Sequence, residues 1–381
     1  MATGEIDLNN LDKSDWKAYR FDEIVQNISE RVDPNNTDLK VYVGLEHLDS
    51  ESLHIKRFGT PDDVNGQKLK FYKGDIIFGR RRAYQRKAGI ATTDGFCSAH
   101  ALVLRANPDV IDPQLLPFFL HSDLFMHRAV DISVGSLSPT INWGTLKHQD
   151  FLIPPKYKQS GLAKLLLSNE ACVASSDVVL KKLLITKTVA LKEFFKKKIK
   201  EKQIKDFGEI VTGSTPSTKN TSYWGGDVQF VTPADIFDKS AYITKTERYI
   251  TKKGAELSRE IPPNSVMVVC IASVGKIAIS TEFCVTNQQI NTIIPASTVD
   301  SSYLYNVLSI FNSKIVSRAA NSVVPILNKG DFGLIKIPNL PDDIKLHFIS
   351  KVKLFDITIT NARDVSENYK TLMKSLINKV F

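Results

Sequence analysis

The two halves of the chain repeat one pattern with a shift of about 186 residues. Phe21–Val25 (FDEIV) matches Phe207–Val211 (FGEIV) at this shift. The other anchors pair Ser136 with Ser322, Pro139 with Pro325, Asn142 with Asn328, Gly144 with Gly330, Pro155 with Pro341 and Phe195 with Phe381. An internal repeat of this kind indicates one architecture used twice. The sequences between the anchors differ, so we expect the two copies to have different surfaces.

The first part of each copy has the composition of a mixed α+β domain. Short apolar segments separated by Gly, Pro, Asn and Asp are typical of strands and turns. The predicted strands are Val41–Leu45, Asp75–Phe78, Ala101–Leu104, Val228–Val231, Val266–Ile271 and Lys276–Ser280. Helices are predicted near Leu115–Val130 and Tyr303–Ala320. The fold class predicted for the chain is therefore α+β.

Each copy closes with a predicted long helix, over 156–200 and 342–381. Apolar residues at alternating steps of three and four are typical of a coiled-coil seam. The predicted seams are Leu162, Leu165, Asn169, Cys172, Ser176, Val179, Leu183, Thr186, Ala190 and Phe194, and Phe348, Val352, Phe355, Ile359, Ala362, Val365, Tyr369, Leu372, Leu376 and Val380. At about 60 Å each, the two helices pair most economically with each other. Alternatively, each stripe packs on its own globular domain.

These patterns predict four segments: globular domains over 1–155 and 204–340, and helical spacers over 156–203 and 341–381. The longest apolar run, Val266–Ala272, is too short to span a bilayer. The first ten residues do not resemble a signal peptide. We therefore expect a soluble, cytoplasmic protein. Its four cysteines form no C-x-x-C pair, which favours buried, reduced thiols over a zinc site.

The net charge of +9 favours a polyanionic partner without specifying a fold. Much of the excess lies between Lys181 and Lys205, where ten lysines accompany two acids. This segment is either a solvated helix end or a surface close to the DNA backbone.

The first copy contains a basic segment directly after the predicted strand Asp75–Phe78. Arginine can donate two hydrogen bonds to guanine, and glutamine can pair with adenine in the same bidentate manner. A tyrosine in such a loop can stack or hold a phosphate. The DNA-binding candidates here are Arg80, Arg81, Arg82, Tyr84, Gln85, Arg86 and Lys87. The alternative is an exposed basic turn without a ligand.

The second copy contains small polar loops in place of this basic segment. Gly213–Asn220 is suited to phosphate contacts, although such runs are also common turns. The candidates in the second copy are Thr215, Thr218, Lys219, Asn220, Ser273, Lys276 and Gln288. Gln288 and its neighbours could read adenine or pair with buried backbone. Tyr223–Gly226 is interpreted as a structural corner in preference to a stacking platform.

Motifs for catalysis are absent from the sequence. Asn107–Val110 (NPDV) lacks the second proline and the aromatic residue of a methyltransferase motif. Pro61-Asp62 has no acid-x-Lys follower of the kind a nuclease uses, and no H-x-x-x-H metal pair occurs. We therefore predict a chain with no catalytic residues and no metal site.

Several motifs of the second copy resemble the target recognition domains of type I restriction–modification specificity subunits. They are Phe207–Lys219, Tyr223–Asp227, Val231–Ile236, Ala272–Ala278 and Thr286–Gln288. In the first copy, Tyr42–Leu48 (YVGLEHL) resembles the corresponding segment of another subtype. The order domain, helix, domain, helix is also that of the family. The family's Pro-Pro-x-x-Glu-Gln at each helix entry reads PPKYKQ at 154–159 and LPDDIK at 340–345, without the glutamate.

The resemblance implies two oppositely oriented recognition domains held by an antiparallel coiled coil. Each would read one half of a split, asymmetric site on double-stranded DNA. Two modification subunits would methylate adenine using S-adenosylmethionine, and restriction subunits with motor and nuclease activity would bind ATP and Mg²⁺. This chain would bind none of these cofactors. The alternatives are a coiled-coil scaffold and a DNA-binding protein without a role in restriction.

Overall fold

A computed structural model describes residues 11–237, 240–319 and 324–381. The chain divides into two compact units. Unit 1 contains the described residues up to Val178 together with Ala362–Phe381, and unit 2 contains Val179–Asn361. Each unit therefore combines the β-rich part of one repeat copy with segments of both long helices.

The described part of unit 1 contains ten short strands. They are β1 (Lys17–Arg20), β2 (Val25–Ile28), β3 (Arg31–Val32), β4 (Tyr42–Val43), β5 (Lys68–Phe71), β6 (Ile76–Gly79), β7 (Ala88–Ile90), β8 (Gly95–Cys97), β9 (Ala101–Ala106) and β10 (Asp150–Ile153). Its helices are α1 (Phe21–Ile24), α2 (Leu116–His121), α3 (Asp123–Asp131), α4 (Trp143–Leu146) and the first part of α5 (Lys156–Lys192). Single 3₁₀ turns occur at Pro61–Asp63 and Ala83–Gln85.

The strands of unit 1 form two four-stranded sheets, in the orders β2-β9-β6-β7 and β3-β5-β8-β4. Only β4 and β8 pair in parallel among the strands of these two sheets. A separate ribbon pairs β1 with β10, which brings the start of the globular part beside its end. A phenylalanine-rich core lies against the first sheet and α2–α4, and it includes Phe21, Phe119, Phe125 and Phe151.

Unit 2 repeats this arrangement, with eleven strands among its described residues. They are β11 (Glu201–Gln203), β12 (Gly208–Thr212), β13 (Trp224–Val231), β14 (Tyr242–Ile243), β15 (Arg248–Ile250), β16 (Glu260–Ile261), β17 (Val266–Val269), β18 (Ile277–Ser280), β19 (Cys284–Thr286), β20 (Ile290–Pro295) and β21 (Lys336–Pro338). Its short helices are α6 (Lys252–Glu256), α7 (Ser301–Ile310), α8 (Asn312–Ala319) and α9 (Lys329–Leu334), and α10 (Asp342–Val380) follows them.

The sheets of unit 2 have the orders β12-β20-β17-β18-β14 and β15-β13-β19-β16, with β11 paired to β21. The strand register preserves the sequence repeat. Val25 pairs with Ala106 in unit 1, and Val211 pairs with Thr292 in unit 2, a shift of 186 on both strands. The predicted α+β repeat is confirmed by these matched ladders.

The long helices α5 and α10 pack together antiparallel in both units. In unit 1, Asn169 Nδ2 donates to Tyr369 O at 3.3 Å, and Ser366 Oγ donates to Asp177 Oδ1 at 2.7 Å. In unit 2, Lys187 pairs with Asp356 at 2.6 Å. Residue numbers therefore rise along α5 as they fall along α10. The helix pairing expected from the sequence is confirmed, in preference to each stripe packing on its own domain.

Each long helix ends in the core of the other repeat copy. The Phe381 ring, after α10, lies 5.2 Å from the Phe119 ring in unit 1 (centroid to centroid). After α5, the Phe194 ring lies 5.3 Å from Phe348 in unit 2, and Phe195 lies 5.7 Å from the same ring. Burial of these aromatic side chains fixes both helix ends to a globular part.

The helix seam differs from the predicted one at four of the ten positions predicted for the first long helix. Asn169, Ser176, Leu183 and Ala190 face the pair as predicted, but Leu166, Val173, Leu180 and Lys187 alternate with them in place of Leu165, Cys172, Val179 and Thr186. On α10, Ser366 and Met373 replace Val365 and Leu372. Two heptad patterns that share every seventh residue fit these helices. Apolar character alone favoured Val365 over Ser366, but the structure places Ser366 in the seam, where its hydroxyl donates to Asp177.

Other boundaries also differ from the sequence prediction. Helix α5 ends at Lys192 instead of Lys200, because Glu193–Phe195 tighten into a 3₁₀ turn and Glu201–Gln203 pair with β21. The two predicted shorter helices are each broken in two, at Ser122 and at Phe311. Ser122 breaks the first because it caps α3, accepting from Phe125 N at 3.2 Å. Ala320 and Ser322 lie outside the described residues.

The thiols are buried as predicted at Cys97, Cys270 and Cys284, but Cys172 is exposed because it lies off the helix seam. A helix with the length and apolarity needed to cross a bilayer does not occur within the described ranges.

Candidate DNA interface

The basic segment of the first copy forms the hairpin loop between β6 and β7. Gly79 N donates to Lys87 O at 2.9 Å and closes the loop. Inside it, Ala83–Gln85 make one 3₁₀ turn, flanked by Arg82 and Arg86 with φ of 54° and 51°. Left-handed backbone is uncommon outside glycine, so this loop has a specific, constrained shape.

A second segment pairs with the start of this loop. Arg82 N donates to Pro139 O at 2.7 Å, and Ile141 N donates to Arg80 O at 2.9 Å. The side chain of Arg81 also donates from Nη2 to Ser138 Oγ at 3.4 Å. The segment around the repeat anchor Pro139 thus pairs with the backbone of Arg80–Arg82 directly after β6.

The arginines and the tyrosine of the loop's first half are accessible. Arg81 and Arg82 are exposed, and Tyr84 is 56% exposed. Arg80 is half-buried, and its Nε has no hydrogen-bond partner among the described residues. These four side chains can meet an anionic ligand with little rearrangement.

Two residues far away in the sequence join this basic loop. The pKa of His100 is lowered by partial burial and by the nearby charges of Arg81, Arg80 and Lys68, in that order. Lys68 lies on β5 of the other sheet. We call Lys68, Arg80 and Arg81 the cationic patch, and the lowered pKa keeps His100 beside it in its neutral form near pH 7. Lys68 and His100 were missed in the sequence because nothing local connects them to the arginines.

The second half of the loop is half-buried and bound to the protein. Ser50 Oγ donates to Gln85 O. Arg86 Nη1 lies 2.5 Å from Asp123 Oδ1, and Lys87 Nζ donates to Leu45 O at 2.8 Å. The structure therefore separates the seven candidates of this loop into the exposed Arg81, Arg82 and Tyr84 with the half-buried Arg80, and an anchored second half of Gln85, Arg86 and Lys87.

The hairpin loop between β17 and β18 occupies the equivalent position in the second copy. Val269 N donates to Lys276 O at 2.9 Å and closes it. Ala272 has φ of 63° and donates from N to Pro325 O at 2.9 Å, and Leu327 N donates to Cys270 O at 2.8 Å. These are the pairings made by Arg82, Pro139, Ile141 and Arg80 in unit 1. The two loops share their backbone support and differ in side chains.

This second hairpin loop has little charge. Ser273 is exposed, whereas Lys276 is half-buried and donates from Nζ to Pro233 O at 3.0 Å. The neighbouring Ile326 is 54% exposed. The hairpin surface that is cationic in the first copy therefore presents small polar and apolar side chains in the second.

The loop 213–220 lies beside the amide-rich turn 287–289 in unit 2. Ser214 N donates to Thr286 O at 2.8 Å, and Thr215 Oγ1 donates to Gln288 Oε1 at 2.7 Å. Thr218 and Lys219 are exposed. Asn220 is also exposed, and its Oδ1 accepts from Ser222 N at 3.1 Å. The structure brings Thr215 and Gln288 together although 72 residues separate them in the sequence.

Trp224 and the remaining amides make internal contacts. The Trp224 ring lies edge-on to Phe230 at 5.1 Å, the Arg248 guanidinium lies 3.8 Å above it, and its Nε1 donates to Ser217 O at 3.2 Å. Asn287 Nδ2 donates to Gln289 Oε1 at 2.9 Å. These contacts favour structural roles for Trp224, Asn287 and Gln289.

A cluster of side chains suited to a metal ion does not occur within the described ranges. The chemistry present at both hairpins is that of hydrogen bonding and charge, which are the means by which proteins contact phosphates and base edges.

A family model matches the second half of the chain. Residues 196–363 match the type I restriction modification DNA specificity domain. The specificity subunit of the type I restriction enzyme MjaIX from Methanocaldococcus jannaschii is 33% identical over 188 residues, covering 47% of this chain and 43% of that relative. That alignment thus spans less than half of each protein. The HindI specificity subunit from Haemophilus influenzae is 22% identical over 96% of this chain and 99% of its own length.

Solved structures share the fold over the whole length. The S subunit of a type I restriction–modification system from M. genitalium has a TM-score of 0.55 at 14% identity, covering 99% of this chain and 98% of that one. A chain from a study of complex assembly and conformational transition in the type I system has a TM-score of 0.59 at 17% identity, covering 96% and 97%. The second half of the chain thus carries a type I restriction modification DNA specificity domain, and over nearly its whole length the chain is similar in sequence to a type I specificity subunit and shares the fold of a solved one.

Proposed function

We propose that the chain reads a bipartite, asymmetric site on double-stranded DNA and directs adenine methylation or cleavage by partner subunits. Under this proposal, residues 1–155 and 204–340 are the two target recognition domains. Residues 156–203 and 341–381 are the helical spacers between them. The chain itself performs no chemistry.

The observation that carries the proposal is the pair of equivalent hairpin loops. Both are held by the same backbone hydrogen bonds to the segments at Pro139 and Pro325. One presents arginines and the other presents Ser273 and apolar neighbours. Two readers with the same support and different side chains are expected to prefer different sequences, so the two half-sites should differ.

We assign the proposed DNA contacts mainly to side chains that are accessible in the two hairpin loops. In the first domain they are centred on Arg80, Arg81, Arg82 and Tyr84, where an arginine fork suits guanine O6 and N7. Gln85, Arg86 and Lys87 complete the loop. In the second domain, Ser273 and Lys276 lie in the equivalent hairpin loop, and a polar surface adjoins it. The residues of that surface are Thr215, Thr218, Lys219, Asn220 and Gln288.

The proposed partners are two modification subunits and, for cleavage, restriction subunits that carry the motor and the nuclease. S-adenosylmethionine, ATP and Mg²⁺ would bind those partners. Exposed apolar side chains on the long helices support a protein partner there, since apolar patches on a surface mark interaction sites. They include Leu184, Ile185 and Val189 on α5, and Leu346, Leu354 and Ile357 on α10.

The test is transfer of a labelled methyl group to duplex DNA by the purified chain, by the modification subunit and by the two together. We expect methylation only from the combination, and methylome sequencing of a host with both genes should show one split site with unlike halves. Methylation by this chain alone would contradict the proposal, as would a complex that assembles and methylates without sequence preference.

A further inference from the structure

Arg86 differs from the other arginines of its loop because its guanidinium is bound inside unit 1. Its side chain is 17% exposed. Nη1 lies 2.5 Å from Asp123 Oδ1, Nη2 donates to His121 O at 2.8 Å, and Nε lies 3.4 Å from Glu51 Oε1. The guanidinium thus donates to Asp123 and to the His121 carbonyl at once, while Nε makes an ion-pair contact with Glu51 without a hydrogen bond. A planar fork of this kind is a geometry that arginine provides and lysine does not.

The backbone of Arg86 is held as firmly as its side chain. Its left-handed conformation, with φ of 51°, ends the 3₁₀ turn at Ala83–Gln85. Arg86 O accepts from Glu51 N at 3.0 Å, and Arg86 N donates to Ala83 O at 2.9 Å. Because the loop is short and closed, the placement of Arg86 also constrains the exposed residues before it.

Both acidic partners of Arg86 are bound in turn by the last turns of α10. Asn378 Nδ2 donates to Asp123 Oδ2 at 2.6 Å, while Asp123 N donates to Asn378 Oδ1 at 2.8 Å. Lys374 Nζ lies 3.2 Å from Glu51 Oε1. All these residues belong to unit 1. A continuous set of hydrogen bonds and ion pairs therefore runs from the recognition loop to the helix.

Asp123 remains an anion in this network. Its partial burial opposes ionisation, but the hydrogen bond and charge of Arg86, with Lys374 nearby, lower its pKa overall. An ionised Asp123 makes charge-assisted hydrogen bonds to Arg86, which are shorter and stronger than neutral ones.

We propose that Arg86 is a positioning residue that fixes the Arg80–Tyr84 segment to the end of α10 through Asp123 and Glu51, and that this link sets readout at the first half-site. The inference rests on the proposed function and deepens it. The competing role for Arg86 is a direct contact with a DNA phosphate. The two roles predict different effects of replacing Asn378. Asn378 carries no charge, so its loss removes no phosphate-binding cation.

The test uses the chain assembled with its modification subunit, and compares Asn378→Ala, Arg86→Lys and Arg86→Ala with the wild type. We measure methylation of sites altered at each position of either half, and DNA affinity at several salt concentrations. Asn368→Ala is the matched control, because Asn368 is an exposed asparagine on the same helix.

We expect Asn378→Ala to reduce discrimination in the first half-site by about tenfold, within the range of coupled residues. The second half-site and the salt dependence of affinity should stay unchanged, and Asn368→Ala should behave as the wild type. Arg86→Lys should show the same half-site loss, since lysine keeps the charge and loses the fork. If Asn378→Ala fails to assemble, Asn378→Ser carries the same expectation.

The inference is overturned if Asn378→Ala retains full discrimination, or if Arg86→Lys preserves it while Arg86→Ala lowers the salt slope by about one unit, as a lost phosphate contact would. Equal losses in both half-sites would also overturn it, because they indicate general damage to the chain. If the wild-type complex methylates no split site, the proposed function fails instead.

Discussion

The arginines of the basic hairpin loop have different environments, although they lie within a few positions of each other in the sequence. Arg81 and Arg82 are exposed, whereas Arg86 is held by Asp123 and the His121 carbonyl. All three arginines carry the same charge, and they differ in the acceptors that lie near them. Because Arg81 and Arg82 are exposed, their side chains can contact a phosphate or a base.

Replacing Arg80, Arg81 and Arg82 together by alanine should weaken DNA binding and alter readout in the first half-site only. Each lost phosphate contact should reduce the salt slope by about one unit, and a lost base contact should cost about 1–3 kcal/mol at one base pair. The measurement is DNA affinity against salt concentration, with the second half-site as internal control. An unchanged affinity and slope would contradict this assignment.

The four cysteines should differ sharply in reactivity. Burial raises the pKa of Cys97 and Cys284 to about 12 and that of Cys270 to about 11. Their reactive thiolate forms are therefore scarce at pH 8, and access is also blocked. Cys172 is exposed on α5.

We expect a maleimide reagent to label the folded chain once, at Cys172, and to label it four times in denaturant. Peptide mass spectrometry identifies the sites, and Cys172→Ser is the control that should leave the folded chain unlabelled. Rapid labelling at Cys97 or Cys284 in the folded chain would show that these sites are open.

At the scale of the elements, the long helices are stabilised at their ends as well as along their seam. The seam is partly polar, with Asn169, Asp177 and Ser366 in hydrogen bonds inside unit 1. The Phe381 ring contributes apolar contacts to Phe119 and Trp16. Polar seam residues specify register at some cost in stability. We therefore expect the aromatic residues at the helix ends to contribute more to the stability of the helix pair than these polar residues do.

Phe381→Ala should destabilise unit 1 by about 2–4 kcal/mol, because it removes most of a buried aromatic side chain and leaves a cavity. Leu372→Ala is the control, since Leu372 lies on α10 and is 46% exposed, and it should cost below about 1 kcal/mol. Chemical denaturation of both variants measures the difference. Equal unfolding midpoints would contradict the anchoring role of Phe381.

At the scale of the whole molecule, each long helix contributes turns to both units. The unit boundary falls at Val178 in α5 and at Asn361 in α10, and both helices continue through it. Under the proposed function, this continuity makes the helix pair a spacer whose length sets the gap between the half-sites.

Inserting seven residues in both helices at these boundaries should lengthen the gap between the half-sites. One heptad adds about 10 Å and keeps the seam facing its partner, which corresponds to about three base pairs of DNA at 3.4 Å each. Methylome sequencing measures the spacing, and the half-site sequences should stay unchanged. The same insertion in α5 alone is the control, and it should impair assembly because the two helices no longer match.

An active complex that carries both insertions and methylates at the original spacing would rule out this spacer role.

The sequence by itself determined the features that depend on local pattern. The 186-residue shift predicted the repeated fold, because the same anchors require the same ladders, as the Val25–Ala106 and Val211–Thr292 pairs show. Heptad spacing predicted two long helices. The position of the basic segment after a strand predicted a loop there.

Only the tertiary structure decided which side chains within those patterns are partnered. Two heptad frames share Asn169 and Ser176, and packing against α10 selected Val173 over Cys172. The same holds in the hairpin loop, where Asp123 binds Arg86 and is itself bound by Asn378, while the charges of Arg81, Arg80 and Lys68 act on His100. These partners come from distant parts of the chain, so periodicity and composition, which describe neighbours in sequence, do not contain them.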